Sequence, residues 1–490
     1  MKVLLVYPAN PESFWSFKHV LRFVAKRAAF PPLGLLTVAA MLPADWQMKL
    51  VDTNVEPLTD ADIAWADWVM LSGMIVHKPA AREIARRCAA LGRRVIAGGP
   101  LFTTGHQDFP EIPHFVLGEA EAVMPELVAD LRAGAVKPRY RAAGFPDVRQ
   151  TPVPRWDLID VRHYVTMPVQ FSRGCPFDCE FCDIVVMYGR VPRTKAPRQV
   201  IDELEALGRA GWRDMVFIVD DNFIGNKKRV RELLEALAEW RRRTRPAIGF
   251  LTEASLNLAD EPELLELMIE AGFKKVFVGL ETPVAESLEE CRKVQNSSRD
   301  LVGAVRAIQG AGLEVMGGFI VGFDNDPLDV FRRQFDFIQR AGVVTAMVGL
   351  LTALPQTRLY ARLAREGRVI ADSIGDNTSA VLNFLPRLDR GGLIEGYREL
   401  MRSLYAPENY YRRVREFLGT WQPRGPRLRL ARSDLGAFLR SLWTLGVRRP
   451  GRLAFWRLFW ATLVTRPRKF RAAIELAIVG HHFRIVAEQL

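Results

Sequence analysis

The chain has 490 residues, 49% apolar and 25% charged; this excludes a disordered protein and exceeds one ordinary core, so two or three domains are expected. The net charge of +12 points to nucleic acid only until it is located. From Arg424 to Leu490 there are 14 Lys and Arg against 3 Asp and Glu, so the rest of the chain is nearly neutral and no nucleic-acid partner is expected. Five Cys, three of them close together, exclude a disulfide framework and suit a reducing cytoplasm; Cys88 and Cys291 read as isolated buried thiols. Met1-Lys2-Val3-Leu4-Leu5-Val6-Tyr7 reads as a strand and not as a secretory signal.

Val3–Tyr7 is an apolar strand, and Leu33–Leu42 has helical spacing after Pro31-Pro32. Strands follow at Met48–Val51, Trp68–Ser72, Arg94–Ala97 and His114–Leu117, with helices at Ala80–Leu91 and Val123–Leu131. This alternation predicts a doubly wound, flavodoxin-like parallel sheet over residues 1–137, whose ligand lies beyond the C-terminal strand ends. Residues 138–164 are Pro-rich and weakly patterned, as in a linker. A second strand–helix series begins at Val169-Gln170-Phe171. It continues through Met215–Val219, Ile248–Leu251, Lys275–Gly279, Val315–Val321 and Thr345–Leu350. Six such strands predict a partial (β/α)6 barrel over 165–368, with its chemistry at the C-terminal strand ends. Residues 369–490 read as helical, with a basic tail.

Cys175, Cys179 and Cys182 stand as C-x3-C-x2-C. Three thiolates at this spacing suit three corners of a [4Fe–4S] cube, leaving the fourth iron without a protein ligand. A zinc site is the rival, although zinc asks for a fourth ligand and for paired knuckles. Chemistry-bearing residues recur at the later strand ends: Asp220 and Asp221, then Glu253, Glu281, and the glycines Gly317 and Gly318. Carboxylates grouped at a barrel mouth are costly unless they meet cations or donors; otherwise they are solvated turns.

The Cys run and the ordered strand-end residues resemble the radical SAM enzymes. In the first domain, Phe30-Pro31-Pro32-Leu33-Gly34-Leu35, Leu71-Ser72-Gly73-Met74 and Gly98-Gly99-Pro100 resemble the B12-binding domain of the cobalamin-dependent members. The marks are most similar to the subgroup that includes the hopanoid C-2 methylase, in Val169-Gln170-Phe171-Ser172-Arg173-Gly174-Cys175, Asp220-Asp221-Asn222-Phe223 and Thr252-Glu253-Ala254-Ser255.

The resemblance implies a [4Fe–4S] cluster on Cys175, Cys179 and Cys182, and S-adenosylmethionine (AdoMet) near Phe181, Asp220, Asp221, Glu253, Glu281, Gly317 and Gly318. It implies cobalamin near Ser72, Gly98 and Gly99. The expected reaction is methylation of an unactivated carbon through a 5′-deoxyadenosyl radical and methylcobalamin. The expected partners are a small-molecule or lipid substrate and an electron donor such as flavodoxin or ferredoxin. A rearrangement or cyclisation without methyl transfer, and a non-enzymatic metal- or cobalamin-binding protein, are the competing readings. The Asp-x-His-x-x-Gly motif of the wider B12-binding group is absent, so no protein imidazole is expected beneath cobalt; His77 is the nearest rival.

In the tail, Leu453–Val464 is too short and too interrupted by Arg457 for a membrane span. Trp456, Phe459 and Trp460 beside several Arg describe a helix for a membrane interface. A helix packed on the barrel with a solvated basic face fits the same residues.

Overall fold

The structure is a computed structural model that describes residues 1–425 and 432–490. The strands, in chain order, are β1 (Lys2–Tyr7), β2 (Gln47–Asp52), β3 (Trp68–Ser72), β4 (Arg94–Gly98), β5 (His114–Leu117), β6 (Arg139–Arg141), β7 (Met167–Val169), β8 (Ser172–Arg173), β9 (Arg193–Thr194), β10 (Met215–Ile218), β11 (Gly249–Ala254), β12 (Phe273–Glu281), β13 (Glu314–Val321) and β14 (Ala346–Leu350).

The first sheet runs β2-β1-β3-β4-β5-β6, and all its pairs are parallel. Its central strands are apolar on both faces because helices cover both sides: Val3, Leu4, Leu5 and Val6 are all fully buried. β6 lies inside the stretch expected to be a linker. Only Tyr140 of Arg139-Tyr140-Arg141 faces inward, which is too little pattern to read from sequence. Its hydroxyl donates to Asp130 (2.7 Å) and accepts the Lys137 N–H (2.9 Å), fixing the short edge strand.

The second sheet runs β14-β13-β12-β11-β10-β7, also all parallel. Among the described residues β7 and β14 are the two edges of this sheet, so the six strands form an open, partial barrel. The helices Pro197–Arg209, Lys227–Thr244, Pro262–Ala271, Leu301–Ala311 and Val330–Ala341 alternate with the strands and bury one apolar stripe each on the sheet. β7 stops at Val169 because the next turn leaves the ladder: the Phe171 N–H bonds the Asp220 carboxylate (2.8 Å).

Beyond the barrel, helices span Arg390–Tyr405, Pro407–Thr420, Arg432–Trp443, Arg452–Thr465 and Phe470–Gln489. The last of these meets the first domain: Phe483 stacks on Phe14 at 4.0 Å, and His482 Nε2 bonds the Phe14 carbonyl (3.0 Å). Trp15 in turn meets Phe277 of β12 at 5.2 Å. The loop after β1 is therefore clasped between the barrel and the C-terminal helix. The tail sequence from Arg424 crosses 426–431, which lie outside the described residues.

Candidate active site

The three cysteines lie on the loop between β8 and β9, with all three thiols half-buried. Two strand ends hold this loop. Asp220, after β10, accepts from the Phe171 N–H and from the Ser172 hydroxyl (2.6 Å). Asp221 accepts the Gly174 N–H (2.8 Å). Gly174 (φ +95°) needs its missing side chain here, since a Cβ would lie 2.9 Å from the Gly189 carbonyl. Burial raises Asp220 to about 7 and Asp221 to about 6 against those hydrogen bonds. Asp220 thus braces the loop with both oxygens, and Asp221 with one.

The thiols have the neighbours that bound sulfur requires. Asn222 Nδ2 donates to Cys175 Sγ and Gln295 Nε2 to Cys179 Sγ, each at 3.8 Å. Burial pushes all three thiols above their ordinary range, while the nearby Lys293 ammonium pulls the other way. Such thiols stay protonated unless metal takes the proton's place. Among the described residues, no group of three His, Cys, Asp or Glu side chains is arranged to hold a single metal ion. Three thiols with N–H donors and a cation beside them fit an anionic iron–sulfur cluster.

The other strand ends surround this loop. Glu281 is buried with φ +63°, an uncommon backbone for a residue with a side chain. The β12–β13 register shifts between Gly279 and Glu281, and Asn296 Nδ2 donates to the Gly279 and Leu280 carbonyls (3.0 and 3.1 Å). Glu281 pairs with Lys293 at 2.6 Å, and Lys293 also lies 6.0 Å from the Phe181 ring centroid. Gln295 Oε1 and Asn296 Oδ1 are buried without partners, which is a polar lining awaiting a polar ligand. Glu253 is raised to about 8, first by burial and then by Asp221 and Asp220.

Gly317 and Gly318 pack against the chain's own side chains. A Cβ on Gly317 would meet Phe319 (2.8 Å) and Val343 (3.0 Å), and one on Gly318 would meet the Phe277 ring (2.9 Å). In the direction of a Cβ, these glycines make room for the chain's own side chains.

In the first domain, Gly99 has φ +91° and lies over Ser72, whose hydroxyl would be 2.5 Å from a Cβ at this position. A Cβ on Gly98 would lie 3.2 Å from the Val116 carbonyl. The ends of β3 and β4 are thus packed so closely on Ser72 and Val116 that only glycine fits at these two positions. His77 is fully buried, with Nδ1 accepting the Met74 N–H (3.0 Å) and Nε2 bonded to Asn10 Oδ1 (2.6 Å). Burial lowers it to about 4. Both ring nitrogens are spent on the fold.

A buried ion network joins the two halves. Arg173, two residues before Cys175, reaches Glu119 (2.5 Å) and Glu121 (2.7 Å) after β5, and Arg193 of β9 reaches Glu119 (2.6 Å). Burial opposes ionisation of Glu121, yet the Arg173 guanidinium holds it below the ordinary range. Glu119, Glu121 and Arg193 leave no local pattern in the sequence because these ion partners lie 52 to 74 residues apart, and Lys293 and Gln295 meet the site only through the fold. Gly118-Glu119 closing a strand was the available signal.

The Radical SAM superfamily profile matches residues 169–338, the B12 binding domain profile 24–128, and a domain of unknown function (DUF4070) 357–490. An uncharacterized methyltransferase of Synechocystis sp. is 41% identical, covering 99% of this chain and 91% of its own. The hopanoid C-2 methylase of Rhodopseudomonas palustris is 34% identical over 100% of this chain and 94% of its own. The methyltransferase TsrM from Kitasatospora setae, solved with cobalamin and a [4Fe–4S] cluster, shares the fold with a TM-score of 0.64, at 16% identity over 98% of this chain and 99% of that one. Profiles for both domains, and relatives aligned along almost the whole chain, lead to one assignment: the chain belongs to the B12-binding radical SAM methyltransferases, whose cofactors are a [4Fe–4S] cluster, AdoMet and cobalamin.

Proposed function

We propose that this methyltransferase acts on an unactivated carbon of an apolar, lipid- or isoprenoid-sized substrate. The observation that carries the methyl-transfer reading is the buried Glu119/Glu121–Arg173–Arg193 network, which ties the cluster loop to the strand ends of the B12-binding domain. A radical formed at the barrel mouth and a methyl donor held in the first domain must meet at one carbon, and a stiff link between their two supports serves that need. The lipid-sized substrate rests on the 34% identity to a hopanoid methylase.

When bound, the cofactors supply the electron, the radical and the methyl group; the protein supplies position and exclusion of water. We assign the cluster to Cys175, Cys179 and Cys182, with Asn222 and Gln295 as N–H donors to sulfur. Asp220 and Asp221 fix the loop's backbone. Glu281, Glu253, Phe181 and the ammonium of Lys293 line the AdoMet side, where paired and unpaired carboxylates can accept from hydroxyl or amino groups. Ser72, Gly98 and Gly99 form the cradle for the cobalamin tail. Both nitrogens of His77 are engaged with Met74 and Asn10, so this side chain would serve the fold and would not hold the cobalamin.

Product analysis with lipid extracts tests this reading. S-adenosylhomocysteine formed together with 5′-deoxyadenosine, and a substrate heavier by one methyl group, is the expected result. Substrate-dependent 5′-deoxyadenosine without S-adenosylhomocysteine would replace methylation by rearrangement or cyclisation.

A further inference from the structure

We propose that the helices Arg432–Trp443 and Arg452–Thr465 form a docking face for an anionic lipid bilayer. The two helices are joined by the turn Thr444–Arg448 and both pack on the helix Phe470–Gln489; the Phe438 and Phe459 rings lie 6.3 Å apart between them. The second helix is apolar on two sides. Phe455, Leu458 and Phe459 are buried against the protein, whereas Leu453, Trp460 and Val464 are 70%, 57% and 74% exposed. The first helix adds Leu435, Leu439 and Trp443, four residues apart and so along one stripe, each more than half exposed. Of the 21 exposed large apolar side chains among the described residues, eight fall between 435 and 464. A protein that stayed in water would not gather them there.

The charge around this stripe identifies what covers it. Arg448, Arg449, Arg452 and Arg457 line an open cleft of about 560 Å³ whose lining holds a single carboxylate, Glu408. None of the four has an ion-pair partner among the described residues. Arg466 and Arg468 stand exposed at the far end of the second helix. Trp and Leu flanked by unpaired Arg match the boundary between acyl chains and acidic headgroups. No described helix is long and apolar enough to cross a membrane, so the contact is one of surface docking. A protein partner would need a complementary shape; a bilayer needs only apolar depth and negative charge, and both are met.

The face is independent of the methyl-transfer chemistry and is tested without turnover. Full-length protein is floated with phosphatidylcholine vesicles and with phosphatidylcholine–phosphatidylglycerol vesicles, beside Trp443→Glu/Trp460→Glu and Arg449→Glu/Arg452→Glu variants. Binding to the acidic vesicles is expected, weaker in high salt. It should fall about tenfold or more in the Trp variant and roughly fivefold per arginine in the Arg variant. Unchanged circular dichroism and iron content confirm that the variants fold. Equal flotation of wild type and both variants, or no flotation with either lipid, overturns the proposal. So does a wild-type dimer that Trp443→Glu/Trp460→Glu converts to monomer without any vesicle binding, which would make the face a contact between copies.

Discussion

Replacing Glu119 by Gln tests whether the two cofactor supports are held as one body. The Glu119 side chain is 3% exposed and accepts from both Arg173 (12% exposed) and Arg193 (18% exposed), so the change leaves two guanidiniums in a poorly solvated seam. Breaking a buried pair by removing one partner costs about 3–5 kcal/mol. Here Arg173 keeps Glu121, and Arg193 keeps the Pro146 carbonyl at 2.7 Å, which lowers the expected loss to about 2 kcal/mol. The assay is urea unfolding of the full chain, followed on the first transition, for Glu119→Gln, Arg173→Met and the double variant. The double variant should recover at least about 1 kcal/mol relative to the sum of the singles, because the pair is removed whole. Additive losses to within about 0.5 kcal/mol, or a single-variant loss below that value, would refute a coupled network.

Gly99→Ala should lose cobalamin while keeping its iron, since the new methyl would meet Ser72 Oγ at 2.5 Å and φ is +91°; cobalt and iron analysis after anaerobic loading reads this, and equal cobalt would place the nucleotide tail elsewhere. Glu253 carries a pH signature. Its carboxyl stays protonated in the fold to about 8 but ionises from 4.5 when unfolded. Its stabilising contribution is therefore complete below about pH 4.5 and is lost as pH rises towards 8. Glu253→Gln removes that loss, so in the cofactor-free chain the variant should gain on wild type by on the order of 2 kcal/mol between pH 5 and pH 8. Parallel stability–pH curves would show that Glu253 is solvated.

Much of the fold was legible because its signals are local. Trp68–Ser72 and His114–Leu117 form strands over the expected residues, each an apolar run that tolerates burial on both faces. Cys88 and Cys291 are buried free thiols as expected. Arg139–Arg141 was hidden because one inward Tyr does not make a period. The site was legible as a set of strand ends, but not in its division of labour. Asp220, next to Asp221, gives no sequence sign that its partners are Phe171 and Ser172. Likewise nothing in the glycine pair 317–318 tells that a Cβ there would meet Val343 and Phe277. Lys293 illustrates the same limit: only the fold brings its ammonium to Glu281 and the cluster loop.

The central claim is that Cys175, Cys179 and Cys182 hold the cluster that cleaves AdoMet beside an independently bound cobalamin. Anaerobically reconstituted wild type and Cys182→Ala, given AdoMet and a reductant, measure it directly through 5′-deoxyadenosine, with iron and cobalt content alongside. The account predicts that wild type forms 5′-deoxyadenosine, and that Cys182→Ala forms none, loses iron and retains cobalamin. Undiminished 5′-deoxyadenosine from Cys182→Ala, or a wild type that takes up no iron, would contradict it.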